Sequence, residues 1–198
     1  MAADLDRIEE EAERMNDLIG RVLALARAES VEPEEAAVPV ELAEIVQRVA
    51  DNADYEAKRE EKSVTVQVAS KLVVTVDSRL IASAIDNVVR NAVRYTARHS
   101  TVEVVVDRID HDAVVTVRDH GPGVAPSELG RIFSPFHRVE TARDRQTAGE
   151  GFGLGLAIAK RAVAVYRGTI TAENVPDGGL RVTIRIPVDN SLRSVDVA

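Results

Sequence analysis

The period of the hydrophobic residues changes along this chain, and that change limits the possible folds more than any other feature. In residues 5–26 the apolar residues are spaced alternately by three and four positions, which is typical of a narrow helical seam. Further along, apolar and polar residues alternate at Val64, Val66 and Val68, which predicts a strand with one solvated face. The pattern therefore predicts an N-terminal helix followed by a mixed domain of helices and strands.

The N-terminal seam is narrower than the apolar stripe by which a helix usually packs on its own domain. It therefore favours packing against another helix, either within a hairpin or in a second molecule. An amphipathic helix that packs on its own domain is the alternative. The seam consists of Leu5, Ile8, Ala12, Met15, Ile19, Val22 and Ala26.

Local signals divide the chain into four parts. Residues 1–28 contain the helix, and residues 29–39 are an acidic linker with two prolines and no period. Residues 40–188 form the main domain, and residues 189–198 are a C-terminal tail. Because helices and strands do not alternate regularly in the main domain, its predicted class is α+β, a two-layer sandwich with one helical layer. Its helices are predicted at residues 40–61, 78–96 and 154–166, and its strands at residues 64–68, 71–77, 101–107, 113–119, 168–173 and 180–187.

Charge and composition exclude several classes of function. The formal net charge of −8 argues against a nucleic-acid partner, because binding to phosphate backbones requires a basic patch. The chain has no cysteine, so it has no disulfide or thiolate metal site, and its four histidines do not have metal-ligand spacing. Since the sequence has no long apolar run and no signal peptide, we expect it to be soluble and cytoplasmic.

One face of the predicted helix at residues 78–96 carries polar groups. Asn87, Asn91, Arg94 and Tyr95 are spaced by four, three and one positions, so they share a face beside the apolar stripe. Amide oxygens, a guanidinium and a phenol together suit a hydrated cation and phosphates. The alternative is that these residues line a solvent-exposed edge of the helix.

A carboxylate follows the strand at residues 113–119. Asp119 alternates with Val115 and Val117, which places its side chain toward the core. Gly121 and Gly123 then form a turn that permits close approach of the backbone. A buried carboxylate at a strand end suits the exocyclic amine of adenine, although an aspartate that only forms an Asx turn is the alternative.

Glycines alternate through residues 149–155 and lead directly into a helix. Backbone N–H groups at such a helix N-terminus can face an anion. The spacing fits neither a Walker motif nor a dinucleotide fingerprint. A flexible loop without a ligand is the alternative.

Taken together and in this order, these segments resemble the histidine kinase catalytic domain of the GHKL ATPase superfamily. Residues 86–92 resemble its N box, residues 119–123 its first glycine box, residues 133–138 its F box and residues 151–156 its second glycine box. The resemblance extends over residues 40–188 and implies a Bergerat-type fold. The helix at residues 5–28 is similar to the second helix of the family's dimerisation and phosphotransfer domain. Residues 142–145 and 178–181 also resemble the Cpx-type envelope-stress sensors.

The resemblance implies a role for each matching residue in binding ATP and Mg²⁺. Asn91 would hold Mg²⁺ with Asn87 beside it, and Arg94 would contact phosphate with Tyr95 next to it. Arg138 would offset the charge of the γ-phosphate during transfer, so Asn87 and Arg138 are the implied catalytic pair. Asp119 would accept a hydrogen bond from the adenine amine, Gly121 and Gly123 would shape that pocket, and Gly151, Phe152, Gly153, Leu154, Gly155 and Leu156 would wrap the triphosphate beneath a lid at residues 139–150.

Two departures from the family pattern qualify this assignment. Phe152 occupies a position where the family usually has serine or threonine. The phosphoacceptor histidine box is missing, because His99, His111, His120 and His137 all lie in the catalytic region. The resemblance therefore implies a part of a larger, homodimeric membrane sensor, whose partners are a histidine-bearing dimerisation helix and a response regulator.

Two other functions remain open on the sequence alone. A conformational ATPase of the same superfamily needs a carboxylate four residues before the N-box asparagine, and Asn87 stands there instead. Because an amide is a poor general base, this favours transfer to histidine over hydrolysis. A non-catalytic ATP-sensing or dimerisation module is the other alternative, against which the four intact boxes argue.

Overall fold

The computed structural model describes residues 37–139 and 152–188, together with Met15, Ile19 and Gly20. Most of the predicted N-terminal helix, most of the predicted linker and lid, Gly151 and the C-terminal tail lie outside the described residues. Within them, no helix is long and apolar enough to cross a membrane.

A five-stranded sheet forms one layer of the domain. Its strands are β2 (Ser63–Val68), β4 (Thr101–Ile109), β5 (Asp112–Arg118), β6 (Thr169–Asn174) and β7 (Leu180–Pro187). They lie in the order β2-β4-β5-β7-β6, and β2 runs parallel to β4 while the other neighbours are antiparallel. Alternate residues of each strand face the helices, which is why the valine alternation predicted them.

Three helices form the second layer: α1 (Leu42–Ala57), α2 (Ser78–Tyr95) and α3 (Gly155–Val165). Helix α2 packs between α1 and α3. The core between the two layers is aliphatic, and Ile81, Ile85 and Val88 of α2 are at most 1% exposed. The predicted two-layer α+β fold is confirmed, and all three predicted helices and six predicted strands are present.

A small separate sheet was not predicted. Strand β1 (Val38–Glu41) pairs antiparallel with β3 (Val73–Val76), and Val40 lies opposite Val74. The sequence had predicted the end of a linker and the start of a helix at these positions, which was wrong. The helix begins at Leu42, and after Ala57 it tightens into a short 3-10 turn, so its predicted end at residue 61 was also too late.

Helix α2 is fixed at its N-terminus by Asp77. Its Oδ1 accepts a hydrogen bond from the backbone N–H of Arg79 at 2.8 Å, which caps the helix. The backbone N–H of Asp77 donates to the hydroxyl of Tyr166 at 2.8 Å. Since Tyr166 follows the end of α3, this bond joins the start of one helix to the end of the other.

At its C-terminus α2 is held by a buried lysine. Lys62 is 3% exposed, and its Nζ donates to Glu60 Oε2 and to the carbonyl of Val93, both at 2.8 Å. The carbonyls of a last helical turn have no partner within the helix, so a cation there stabilises them. Both ends of α2 are therefore fixed to neighbouring elements.

Candidate active site

The second glycine motif lies against the polar face of α2. Asn87 donates from Nδ2 to the carbonyl of Ser83 at 2.8 Å. Its Oδ1 is 2.9 Å from the point where a Cβ on Gly155 would lie. The amide of Asn87 therefore contacts the first turn of α3 closely, and the structure brings together two residues that the sequence predicted to share a site.

Farther along the same face, Asn91 is half-buried. In the described parts of the chain, the carboxamide side chain of Asn91 has no hydrogen-bond partner. Arg94 and Tyr95 are also half-buried, and the guanidinium of Arg94 lies 5.5 Å from the centroid of the Tyr95 ring. The face thus presents an amide, a cation and a phenol side by side.

Asp119 lies directly after β5 and is 3% exposed. Its Oδ1 accepts two backbone hydrogen bonds, from Gly121 at 2.8 Å and from Leu180 at 3.1 Å. Both donors use the same oxygen, and no donor within residues 37–139 and 152–188 reaches Oδ2. The prediction that this carboxylate is turned toward the core is confirmed, and one of its oxygens remains available for an additional donor.

Burial raises the pKa of the Asp119 carboxyl above its ordinary value of 3.8. The two backbone N–H groups and the neighbouring His120 act in the opposite direction, because they stabilise the charged form. The net result is a carboxylate whose ionisation is made costly by its burial. A ligand that donates a hydrogen bond to the free oxygen would reduce that cost.

The first glycine motif fits tightly between two elements. A Cβ on Gly121 would lie 2.5 Å from the carbonyl oxygen of Tyr95 at the end of α2. Gly179 has a φ of 89°, and a Cβ there would overlap the carbonyl oxygen of Asp119. Both positions require glycine, because the backbone of a neighbouring segment lies where a side chain would begin.

Two residues that hold this motif were not found from the sequence. Thr96, just after α2, is 0% exposed and accepts a hydrogen bond from the backbone N–H of His120 at 3.1 Å. Asn174 clamps Val124 from the other side, because its Oδ1 accepts from the Val124 N–H at 2.9 Å and its Nδ2 donates to the Val124 carbonyl at 2.6 Å. Gly123 packs against the same amide, 2.7 Å from Oδ1 at its Cβ position.

The F box meets the second glycine motif through the backbone. The N–H of Phe136 donates to the carbonyl of Gly153 at 3.0 Å. Gly153 has a φ of 69°, and a Cβ there would lie 2.7 Å from the carbonyl oxygen of His137 and 3.2 Å from Cγ of Arg138. The side chain of Arg138 therefore begins next to the second glycine motif. The hydrogen bond between Phe136 and Gly153 also joins the two ends of the segment that connects the F box to this motif.

The remaining residues of the two motifs differ in burial. Phe133 is 8% exposed and belongs to the core, whereas Phe136 is 65% exposed in a left-handed conformation with a φ of 61°. Leu154 is 0% exposed and is therefore buried with the aliphatic residues. Phe152 and Leu156 are half-buried, and Gly151 lies outside the described residues.

Comparison with known proteins decides the family. The family described as histidine kinase-, DNA gyrase B-, and HSP90-like ATPase matches residues 76–190. CpxA, a sensor histidine kinase of Escherichia coli strain K12, is 38% identical over 189 residues. The chain belongs to this ATPase family. Within it, the chain is the ATP-binding catalytic part of a sensor histidine kinase, as the four motifs predicted.

Two further comparisons agree with this result. SenX3, a sensor-like histidine kinase of Mycobacterium tuberculosis strain H37Rv, is 35% identical over 184 residues, which make up 89% of this chain. The structure of full-length ShkA in complex with AMPPNP matches 90% of this chain with a TM-score of 0.77 and 28% identity, and the match covers 36% of ShkA. The match to CpxA covers 93% of this chain but 40% of CpxA, so the chain spans about two fifths of that relative's length.

Proposed function

We propose that this domain binds Mg-ATP and transfers the γ-phosphoryl group to a histidine on a separate dimerisation helix. The phosphoryl group then passes to an aspartate of a response regulator. The observation that carries the proposal is the buried Asp119 carboxylate, which holds two backbone donors on one oxygen and leaves the other for the adenine amine. The AMPPNP bound by ShkA, which shares this fold, supports the choice of nucleotide.

The polar face of α2 fits the phosphate end of the nucleotide. Mg²⁺ prefers oxygen ligands and keeps several of its waters, so one carboxamide oxygen with phosphate oxygens is a suitable set. Asn91 offers a half-buried amide with no partner in the described ranges, and we assign it as the protein ligand. Arg94 lies one turn farther along, where its charge can act on phosphate, with Tyr95 beside it.

We assign the phosphate loop to the start of α3. A helix N-terminus offers backbone N–H groups without partners in the helix, and anions are favoured there. Asn87 positions this turn through its contact with Gly155. Arg138 belongs to the F box and its Cγ lies beside Gly153, and we assign its charge to the transferring group. Bound Mg²⁺ would add a further counter-charge, so catalysis consists mainly of positioning and charge neutralisation.

The contacts of Asn87 argue against a hydrolytic ATPase. Its Nδ2 is engaged with the Ser83 carbonyl and its Oδ1 lies against Gly155. An amide held in this way cannot accept a proton from an attacking water. Transfer to an external histidine is therefore favoured.

The proposed partner is a helix that carries the acceptor histidine, in a homodimer of the complete sensor. Met15 and Ile19 belong to the predicted seam, are helical, and are 62% and 52% exposed. Side chains of this kind exposed at seam positions are suited to packing against another helix.

The acceptor histidine is supplied by that partner helix in this proposal. His99 lies in a turn at a φ of 58°, and His111 lies between β4 and β5. His120 and His137 pair with Glu103 and Glu128, at 3.3 Å and 2.6 Å respectively. None of the four stands on an exposed helix where it could attack in line with the nucleotide.

The test is phosphorylation with radiolabelled ATP, with and without a separate hairpin that carries the acceptor histidine. We expect no acid-labile label on this chain alone, and label on the hairpin when both are present. Phosphohistidine on the isolated chain, or an unlabelled hairpin at saturating ATP, would contradict the proposal. The hairpin with its histidine changed to glutamine is the matched control.

A further inference from the structure

The end of helix α2 is joined to the first glycine motif by a buried hydroxyl. Thr96 is one of three buried polar or charged residues in the described ranges, with Lys62 and Asp119. Its Oγ1 lies 3.1 Å from the backbone nitrogen of His120 and 2.7 Å from Oγ of Ser100. The hydroxyl therefore has two hydrogen-bond neighbours and no contact with water.

The directions of these hydrogen bonds follow from the number of available protons. Ser100 Oγ lies 2.6 Å from the carbonyl oxygen of Ala97, which can only accept. The single hydroxyl proton of Ser100 is thus used there, so Thr96 donates to Ser100 and accepts from His120. The result is a directed chain from the His120 N–H through Thr96 and Ser100 to the Ala97 carbonyl.

A second set of contacts reinforces this connection. The backbone N–H of Ala97 donates to the carbonyl of His120 at 3.3 Å. The carbonyl of Tyr95 lies against Gly121 so closely that a Cβ there would be 2.5 Å away. His120 is consequently held at both its N–H and its carbonyl by Thr96 and Ala97, which directly follow α2.

We propose that Thr96 is a positioning residue for nucleotide binding: its hydroxyl fixes Asp119 relative to the helix that carries Asn91. Asp119 immediately precedes His120, and Asn91 lies little more than one turn before Thr96. The hydroxyl thereby sets the distance between the group assigned to adenine and the group assigned to the metal. This inference rests on the proposed nucleotide site.

Two substitutions separate the hydroxyl of Thr96 from its methyl group. Thr96→Val keeps the shape and removes the hydroxyl, whereas Thr96→Ser keeps the hydroxyl and removes a buried methyl. For the valine variant we expect Mg-ATP affinity to fall about fivefold or more, since the His120 N–H loses its acceptor. For the serine variant we expect a lower melting temperature but an affinity close to that of the wild type.

The matched control is Thr101→Val. It breaks a similar contact between two hydroxyl groups, at a place away from the site. Thr101 Oγ1 lies 2.8 Å from Ser63 Oγ, between β2 and β4. Affinity should be unchanged in this variant, although its stability falls. If Thr96→Val folds poorly, Ser100→Ala takes its place, because it removes the acceptor of the Thr96 proton and should also weaken Mg-ATP.

Calorimetric titration with Mg-ATP, well below each melting temperature, gives the answer. The proposal is supported if affinity follows the hydroxyl while stability follows the methyl. It is overturned if Thr96→Val, or Ser100→Ala in its place, binds like the wild type, or if Thr96→Ser loses as much affinity as Thr96→Val. A wild-type chain that binds no Mg-ATP would instead contradict the proposed function itself.

Discussion

At the scale of single residues, the two oxygens of Asp119 have different roles: one holds the backbone of the turn, and the other is free for a ligand. Its two backbone hydrogen bonds use Oδ1, so an amide oxygen placed there could accept both of them. Substitution by asparagine therefore changes only the second polar atom of the side chain, from the acceptor Oδ2 to an NH₂ donor. An aspartate-to-asparagine change at this site tests the nucleotide assignment without removing the contacts that hold the turn.

We expect Asp119→Asn to weaken ATP binding at least tenfold, or about 1.4 kcal/mol, because an NH₂ group would oppose the adenine amine. The melting temperature at neutral pH should stay the same or rise, since the amide avoids the cost of a buried charge. Calorimetry and thermal unfolding of both proteins measure these two effects. Equal ATP affinities would assign adenine recognition to another group.

The pKa of Asp119 also predicts a dependence on pH. Because its folded-state pKa is raised, its contribution to stability is fully present below the unfolded value of 3.8 and is lost as pH rises through the folded value. Relative to Asp119→Asn, the wild type should therefore gain stability as pH falls from neutral toward 4. Denaturant titrations of both proteins across this range measure the difference, and a constant difference would contradict the prediction.

At the scale of elements, helix α1 covers part of one edge of the sheet. Strand β2 lies at the edge, and Oδ1 of Asp54 on α1 accepts a hydrogen bond from the backbone N–H of Val64 at 2.9 Å. Oδ2 of Asp54 lies 2.7 Å from Nζ of Lys58. An N–H group already engaged in this way is not available to another strand.

The hydrogen bond from Lys58, followed by that from Val64, lowers the pKa of Asp54 below its ordinary value. Its contribution is therefore present above the unfolded pKa and is lost as pH falls through the folded one, the reverse of Asp119. We expect Asp54→Asn to be less stable than the wild type at neutral pH, by about 0.5 kcal/mol because the ion pair is solvated. The difference should vanish in acid, and a difference that persists at low pH would mean that charge is not its cause.

The clamp between β6 and the first glycine motif gives another prediction at this scale. Asn174 holds both backbone groups of Val124 although it is exposed, so Asn174→Ala leaves those groups to water. We expect a stability loss of about 1 kcal/mol or less. Affinity for ATP should fall several-fold because the turn beside Asp119 loosens. Chemical denaturation with parallel ATP titrations measures both, and Glu173→Ala on the same strand is the control.

The limits of prediction from sequence also lie at this scale. The valine alternation predicted β2, β4 and β5, and the alternation ending at Asp119 predicted its burial, because both signals are local. Thr96 and Asn174 were missed since their partners lie 24 and 50 residues away and no local pattern records such pairs. Strand β1 was missed because four residues that include a proline are too short to display a period beside an acidic linker.

At the scale of the whole molecule, the aliphatic core of the described residues extends from Leu42 to Ile186. We therefore expect a chain of residues 37–188 to melt at the same temperature and to bind ATP as tightly as the full chain. It should no longer associate with a histidine-bearing hairpin, because the seam at residues 5–26 is gone. Thermal unfolding, calorimetry and size-exclusion chromatography with the hairpin measure these outcomes. A marked loss of stability would show that the N-terminal helix packs on its own domain.

The bond between Phe136 and Gly153 has a consequence for how such chains can diverge. Because it closes the base of the intervening segment, insertions there leave the two ends in place and add little loop-closure cost, about 0.6 kcal/mol for each doubling of length. Duplications or deletions between residues 140 and 151 would then be tolerated by the fold. Substitutions at Gly153, whose φ is 69°, would not. Related chains should accordingly vary in length within this segment while they retain glycine at its end.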